Sequence, residues 1–168
     1  KFGGTSLATI EHIKNASKKV EKASKESKVI VVLSAMAGIT NSLVEQIKKI
    51  NDENSPDSDL VLSTGEQISI GLMSAFLNKQ GVKSRTWTAW QIPIVTNNSF
   101  GKARIENISP KNIINSFESY DVAIVAGFQG TTKEKIVTTL GRGGSDTTAV
   151  AMAAAFNAKL CNIYTDVE

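Results

Sequence analysis

Residues 121–126 read Asp-Val-Ala-Ile-Val-Ala, an apolar run of strand length that follows a single charged residue. Two more apolar runs of this kind lie at Val29–Leu33 and at residues 160–164. None of them alternates apolar with polar residues, which is typical of strands that are buried on both faces of a parallel sheet. We therefore predict three central parallel strands.

Segments with helical periodicity lie between these runs. Apolar residues recur with helical spacing in segments 7–25, 41–50, 59–79, 110–119 and 145–157. The polar stretch 51–59 contains Pro56 and is predicted to link two helices at the surface. The stretch 85–108, rich in β-branched and aromatic residues, is expected to form short strands or a hairpin. Strands that alternate with helices predict an α/β fold in which helices cover both faces of the sheet.

Two glycine-rich turns, at residues 1–6 (KFGGTS) and 141–146 (GRGGSD), each lead into a predicted helix. Free N–H groups at a helix start bind anions, and glycines let the backbone approach a ligand closely. The guanidinium of Arg142 can also grip a carboxylate through two parallel hydrogen bonds. A glycine turn often only connects a strand to a helix. Together with Lys1, Arg142 and Asp146, however, these turns favour two anionic ligands.

The composition indicates one globular domain without specialised segments. The chain has 168 residues, of which 41% are hydrophobic and 21% charged, and its net charge is +3. The lysines of the first helix are mixed with glutamates, which favours a solvated face over a nucleic-acid surface. The single Cys161 is predicted to be buried, which indicates a cytoplasmic protein. No apolar stretch of about 18 residues and no signal peptide is seen, so we expect no membrane span.

The loops after the three predicted strands are small, polar or rich in glycine, and they lie at residues 34–41, 127–130 and 165–166. Ligands of open α/β sheets bind outside the carboxyl ends of the strands. These loops are therefore the expected site. Glu66 is a further candidate, because a carboxylate in an otherwise apolar helix is rarely buried without a partner. His12, the only histidine, is predicted to have a structural or surface role.

Several common chemistries fit this sequence poorly. No window matches the P-loop pattern. The dinucleotide fingerprint G-x-G-x-x-G comes closer, but Asp146 stands where its third glycine would be and would repel a pyrophosphate. One histidine and no metal-ligand cluster argue against hydrolase or zinc chemistry. Phosphoryl transfer fits better, and a carboxylate acceptor with a pKa near ~4 would need no general base.

Five motifs occur in order over nearly the whole chain. They are KFGGTS (1–6), LSAMAGITN (33–41), STGE (63–66), GFQG (127–130) and TTLGRGGSD (138–146). Each motif alone is weakly specific, but together they resemble the aspartokinases.

The resemblance implies the amino acid kinase fold, a three-layer αβα sandwich with a mainly parallel central sheet. It also implies transfer of the γ-phosphoryl group of ATP to L-aspartate, which gives 4-phospho-L-aspartate, with Mg²⁺ bound through the phosphates. That reaction is the first step towards lysine, threonine, methionine and diaminopimelate. Residues 1–168 would form the catalytic domain, incomplete at both ends and without the C-terminal ACT domains. We expect a cytoplasmic homo-oligomer that binds neither nucleic acid nor membrane.

The resemblance also assigns roles to individual residues. Lys1 would neutralise the transferring phosphoryl group, and Asp146 would orient that lysine. Arg142 would bind the α-carboxylate of aspartate and Glu66 its α-ammonium. The remaining substrate residues would be Thr40, Gly143, Gly144 and Ser145. The ATP-binding residues would be Lys1, Phe2, Gly3, Gly4, Ser34, Thr165 and Asp166, and no side chain is expected to bind a metal.

Two alternatives remain open at this point. Related kinases of the same fold phosphorylate acetylglutamate or glutamate, so the acceptor could differ while the chemistry stays the same. The chain could also be a binding fragment that keeps the fold without activity.

Overall fold

The computed structural model describes residues 1–50 and 52–165 of the chain. The α-helices are α1 (Ile10–Ser24), α2 (Ile39–Ile50), α3 (Pro56–Lys79), α4 (Lys111–Ser116) and α5 (Gly144–Ala155), with a 3₁₀ turn at Thr5–Leu7. The strands are β1 (Val29–Leu33), β2 (Ser84–Trp87), β3 (Ile94–Thr96), β4 (Ile105–Ile108), β5 (Val122–Ala126), β6 (Gln129–Thr131) and β7 (Val137–Thr139). The five predicted helices and two of the three predicted central strands are thus confirmed.

The first sheet is parallel throughout and has the strand order β1-β5-β2. Its central strand β5 is buried at every position, and Val29 of β1 lies opposite Val122. The continuous apolar run at 121–126 is therefore explained, because both faces of β5 are covered.

The second sheet is mixed and has the order β4-β3-β6-β7. Strands β3 and β4 pair in antiparallel fashion, which confirms the short strands expected within 85–108. Strands β6 and β7 were not predicted and form an antiparallel pair. Each has only 3 residues, mostly threonine, glycine or glutamine, so neither shows an apolar run.

Alternate residues of the parallel sheet face two separate cores. On one side the sheet packs against α1 and α3, through Val31, Leu33, Val122 and Ile124 against Ile13, Val20, Ile70 and Met73. On the other side it packs against α4 and α5, through Val32, Ala123 and Val125 against Ile113, Ala149 and Met152. Helices on both faces of a central sheet make three layers, which confirms the αβα architecture.

Helix α3 is long because its start is well capped and its interior is apolar. Ser55 and Ser58 form a capping box, and Pro56 occupies the first turn, where its missing N–H costs nothing. By length and composition alone, α3 could cross a membrane, contrary to the expectation that no such stretch exists. Its buried face, however, contains Asp59 and Glu66 and packs against α1, β5 and β7, as in the core helix of a folded domain.

The segment 160–164 differs from its prediction. It forms no strand, and only Tyr164 makes an isolated parallel bridge, to Phe2, which also bridges Leu33. Leu160 is 72% exposed and Cys161 is exposed, so the predicted buried cysteine was wrong. The apolar composition of this run was a misleading signal, because an apolar segment becomes a buried strand only where neighbours cover both its faces.

Candidate functional site

A cleft of about 680 Å³ opens where the chain leaves β1, β5 and β7. It lies beside the first turns of α2, α3 and α5. The residues predicted from sequence that line it are Gly4, Ser34, Thr40, Glu66, Arg142, Gly143, Gly144 and Ser145. The structure therefore brings together residues that lie far apart in the sequence, at the carboxyl ends of the strands as expected.

Glu66 is a buried carboxylate that lines this cleft. Its side chain is on α3, only 3% of the residue is exposed, and Oε1 accepts a 3.0 Å hydrogen bond from the Ala35 amide. Oε2 is buried and has no hydrogen-bond partner among residues 1–50 and 52–165. Burial raises the pKa of Glu66 to about 7, against the opposing effect of the Ala35 hydrogen bond. The free oxygen Oε2 can therefore accept a hydrogen bond from a cationic group of a ligand.

The helix α3 can approach the loop after β1 because residue 65 is glycine. A Cβ at Gly65 would lie 2.8 Å from the Cβ of Ala35, closer than two such atoms ever approach. The absence of a side chain at Gly65 therefore lets α3 come close enough for the hydrogen bond from the Ala35 amide to Glu66.

Arg142 lines the cleft and stands on a turn between two glycines. Gly141 has φ 79° and Gly143 has φ 68°, a left-handed region that costs other residues free energy. Arg142 is exposed, and no other described residue forms an ion pair or hydrogen bond with its guanidinium. Its donors are thus available to a ligand.

Lys1 and Asp146 form an ion pair beside the cleft. Lys1 Nζ lies 2.5 Å from Asp146 Oδ1, and the lysine side chain is only 6% exposed. A Cβ built on Gly3 would lie 3.5 Å from the same Nζ atom. Nearby, the hydroxyls of Ser34 and Ser145 are 2.6 Å apart and join the end of β1 to the start of α5. The two glycine turns therefore meet, although they lie at opposite ends of the chain.

Of the seven predicted ATP-binding residues, Gly4 and Ser34 line the cleft, Lys1, Phe2, Gly3 and Thr165 do not, and Asp166 lies outside the described residues. Phe2 is buried and stacks on Tyr164 at 4.7 Å between ring centroids. Lys1 and Phe2 line a second cavity of about 540 Å³, with apolar residues of β1, α1 and α5. Thr165 is exposed and lines neither cavity, and Asp166 lies outside the described residues.

Asp59 was missed by the sequence analysis. It is fully buried at the cleft, in the first turn of α3, and accepts hydrogen bonds from Gly101 and Thr139. Burial raises its pKa, while these hydrogen bonds act in the opposite direction. A signal was present in the sequence, because Asp59 precedes Glu66 by two helical turns and therefore shares its face.

The cleft thus contains a guanidinium, a buried carboxylate and the start of a helix without a side-chain cap. An α-amino acid zwitterion needs the first two at a set separation, and a phosphate binds at a helix start. Lys1, whose side chain is almost fully buried, adds a further cation beside the cleft.

Comparisons with known proteins agree with this geometry. A family model described as the amino acid kinase family matches residues 1–168. An aspartokinase of Geobacillus stearothermophilus is 48% identical over 99% of this chain. The structure of E. coli aspartokinase III in complex with aspartate and ADP superposes with a TM-score of 0.85, at 26% identity over 99% of this chain. An aspartate kinase from Synechocystis gives a TM-score of 0.82, at 39% identity over 99% of this chain.

The chain spans only part of each of these proteins. It covers 42% of the length of the Geobacillus relative, 48% of the E. coli chain and 28% of the Synechocystis chain. The similarity therefore concerns one region of each relative, and this region contains all of the cleft described above.

Proposed function

Because the chain belongs to the amino acid kinase family, we propose that the protein is an aspartate kinase. It transfers the γ-phosphoryl group of ATP to the β-carboxylate of L-aspartate. The products are 4-phospho-L-aspartate and ADP, and the acyl phosphate feeds the synthesis of lysine, threonine, methionine and diaminopimelate.

The observation that carries this proposal is that Arg142 and Glu66, which have opposite charges, line the same cleft. We assign the α-carboxylate of aspartate to Arg142 and its α-ammonium to Oε2 of Glu66, the buried oxygen without a described partner. Thr40, Ser145, Gly143 and Gly144, which also line the cleft, complete the acceptor pocket. An acceptor without a free amino group, such as acetylglutamate, would leave Glu66 unpaired, which disfavours it.

We assign the phosphoryl-transfer step to the Lys1 side of the cleft. Lys1 would contact the transferring group and Asp146 would hold that lysine, consistent with their 2.5 Å ion pair. Gly3, Gly4 and Ser34 would bind the ATP phosphates, with Phe2, Thr165 and Asp166 nearer the nucleoside. Mg²⁺ would be bound through the phosphates of ATP, whose charge it would help to neutralise.

The reaction needs no general base. The β-carboxylate of aspartate is ionised at pH 7, so one of its oxygens attacks the γ-phosphorus directly as the bond from phosphorus to the ADP oxygen breaks. The residues of the cleft therefore only orient the acceptor and neutralise charge in the transition state.

A hydroxamate assay on the full-length protein tests the proposal. The protein is incubated with ATP, Mg²⁺ and hydroxylamine, and with aspartate, glutamate or acetylglutamate as acceptor. Hydroxamate with aspartate alone supports the proposed function. Hydroxamate with another acceptor would support phosphoryl transfer but would show that aspartate is not the substrate. Without ADP release on any acceptor, the alternative of a non-catalytic binding domain would hold.

Substitution of Glu66 with glutamine is expected to lower kcat/KM for aspartate by about 10-fold, because the ammonium loses its ionic partner. The variant should also accept substrates without an α-amino group better than the wild type does. Steady-state kinetics with aspartate and succinate measure both effects. Glu26→Gln, an exposed glutamate on the loop after α1, is the matched control. Unchanged preference between aspartate and succinate would reject the ammonium contact.

The raised pKa of Glu66 predicts a pH dependence. Below about pH 7 the free protein holds this carboxyl protonated, so it cannot pair with an ammonium, and kcat/KM for aspartate should fall with decreasing pH until it levels off about 10-fold below its maximum, as in Glu66→Gln. Above that pH the value should reach a plateau. The ammonium of bound aspartate lowers the pKa of Glu66. The fall in kcat at saturating aspartate should therefore lie at lower pH than the fall in kcat/KM. Profiles from pH 5.5 to 8.5 measure this, and a fall that persists in Glu66→Gln would assign it to another group.

A further inference from the structure

Asp59 is a fully buried carboxylate for which the proposed mechanism has no use. It lies in the first turn of α3, two helical turns before Glu66, and it is 0% exposed. A buried carboxylate costs free energy unless it is well partnered. Its partners therefore indicate what Asp59 does.

Those partners belong to two separate segments. Both carboxylate oxygens accept from the Gly101 amide, at 3.0 Å each. The Thr139 amide donates to Oδ2 at 2.7 Å, and the Thr139 hydroxyl donates to Oδ1 at 2.8 Å. One carboxylate thus joins the loop before β4 to the last residue of β7.

The two segments meet again directly before Arg142. The Ala103 amide donates to the Thr139 carbonyl at 2.8 Å. A Cβ built on Gly141 would lie only 3.2 Å from the Gly101 carbonyl oxygen, so the Gly101 loop lies against the Arg142 turn. Since Thr139 precedes this turn and Gly101 lies against it, both groups held by Asp59 restrict where Arg142 can stand.

We propose that Asp59 is a positioning residue that holds the Arg142 turn in the orientation that binds the α-carboxylate of the acceptor. The inference rests on the proposed function, because it assumes that Arg142 binds that carboxylate. Asp59 acts through Gly101 and Thr139 rather than on the reacting atoms. It therefore determines acceptor affinity more than the rate of phosphoryl transfer.

Asp59→Asn in the full-length protein tests this role. An asparagine presents one acceptor oxygen and turns its NH₂ group towards the donors of Gly101 or Thr139, so at least one of them loses its partner. KM for aspartate should rise about 10-fold, while kcat changes less than about threefold and KM for ATP stays unchanged. Asp57→Asn is the matched control, because Asp57 is in the same helical turn but exposed.

A second pair of variants covers the case in which Asp59→Asn fails to fold. Thr139→Val removes only the hydroxyl donor to Asp59 and keeps the amide, whereas Thr139→Ser keeps both. Thr139→Val should raise KM for aspartate about threefold, and Thr139→Ser should behave like the wild type. A residue that served stability alone would lower Tm in these variants without changing KM.

Hydrogen exchange separates failure of this inference from failure of the proposed function. In Asp59→Asn, or in Thr139→Val if the first does not fold, amides of residues 99–103 and 138–143 should exchange faster than in the wild type and in Asp57→Asn. If the wild type phosphorylates no aspartate, the proposed function fails, and the positioning of the turn is still judged by this exchange. The role of Asp59 is overturned if these amides exchange at the wild-type rate in the variant, or if an active variant keeps the wild-type KM for aspartate.

Discussion

Replacing Lys1 with alanine is expected to lower kcat for aspartate phosphorylation by about 10³-fold, because a cation on the transferring phosphoryl group contributes that much in related chemistry. The lysine amine is almost enclosed, so its charge is poorly screened by water and acts strongly on nearby oxygens. KM for aspartate should change little, since the acceptor contacts Arg142 and Glu66 instead.

Single-turnover kinetics measure this effect, with aspartate binding followed separately by calorimetry. Lys18→Ala, which removes an exposed lysine of α1, is the control for loss of charge alone. The Lys1→Ala variant should bind aspartate nearly as the wild type does. Weak aspartate binding together with a normal kcat would show that Lys1 contacts aspartate and not the transferring phosphoryl group.

Substitution of Arg142 with alanine is expected to lower kcat/KM for aspartate by about 10²-fold, mainly through a higher KM, because the α-carboxylate loses a two-pronged cationic partner. The fold should be unaffected, since the side chain is exposed and no other described residue pairs with it. Tm should therefore stay at the wild-type value, and the kinetic effect can be assigned to the ligand contact.

Arg142→Lys makes this test sharper. Lysine keeps the charge but not the planar fork, so its kcat/KM should lie between those of the wild type and the alanine variant. Arg104→Ala removes an exposed arginine outside the cleft and is the matched control. If Arg142→Ala keeps its aspartate KM, another group must bind the α-carboxylate.

The parts of the fold that the sequence predicted well are those whose signal is local. Strand β5 is a continuous apolar run because both its faces are covered, and β1 matches its prediction residue for residue. Strands β6 and β7 carry no such signal, because three residues that are mostly threonine, glycine or glutamine become strands only through pairing with each other and with β3. The same reasoning explains the error at 160–164, where apolar residues lack neighbours to cover them.

The candidate site, like the fold, contains residues with a local sequence signal and residues without one. Arg142 and Glu66 could be identified from their motifs, since each is an unusual charge in its local context. For Asp59 the sequence offers only its helical spacing from Glu66, because its importance depends on donors at Gly101 and Thr139, which lie about 40 and 80 positions further along the chain. Contacts across such separations appear only once the chain is folded.

The left-handed glycines on both sides of Arg142 also limit how the protein could be engineered towards a new acceptor. In a mutant library, every other residue at position 141 or 143 would carry about 1–2 kcal/mol of backbone strain. At position 141 its side chain would also crowd the Gly101 carbonyl. Thr40 and Asn41 line the same cleft from ordinary helical positions, so randomising them leaves the folding of most library members intact. Directed evolution of acceptor preference should begin at these two residues.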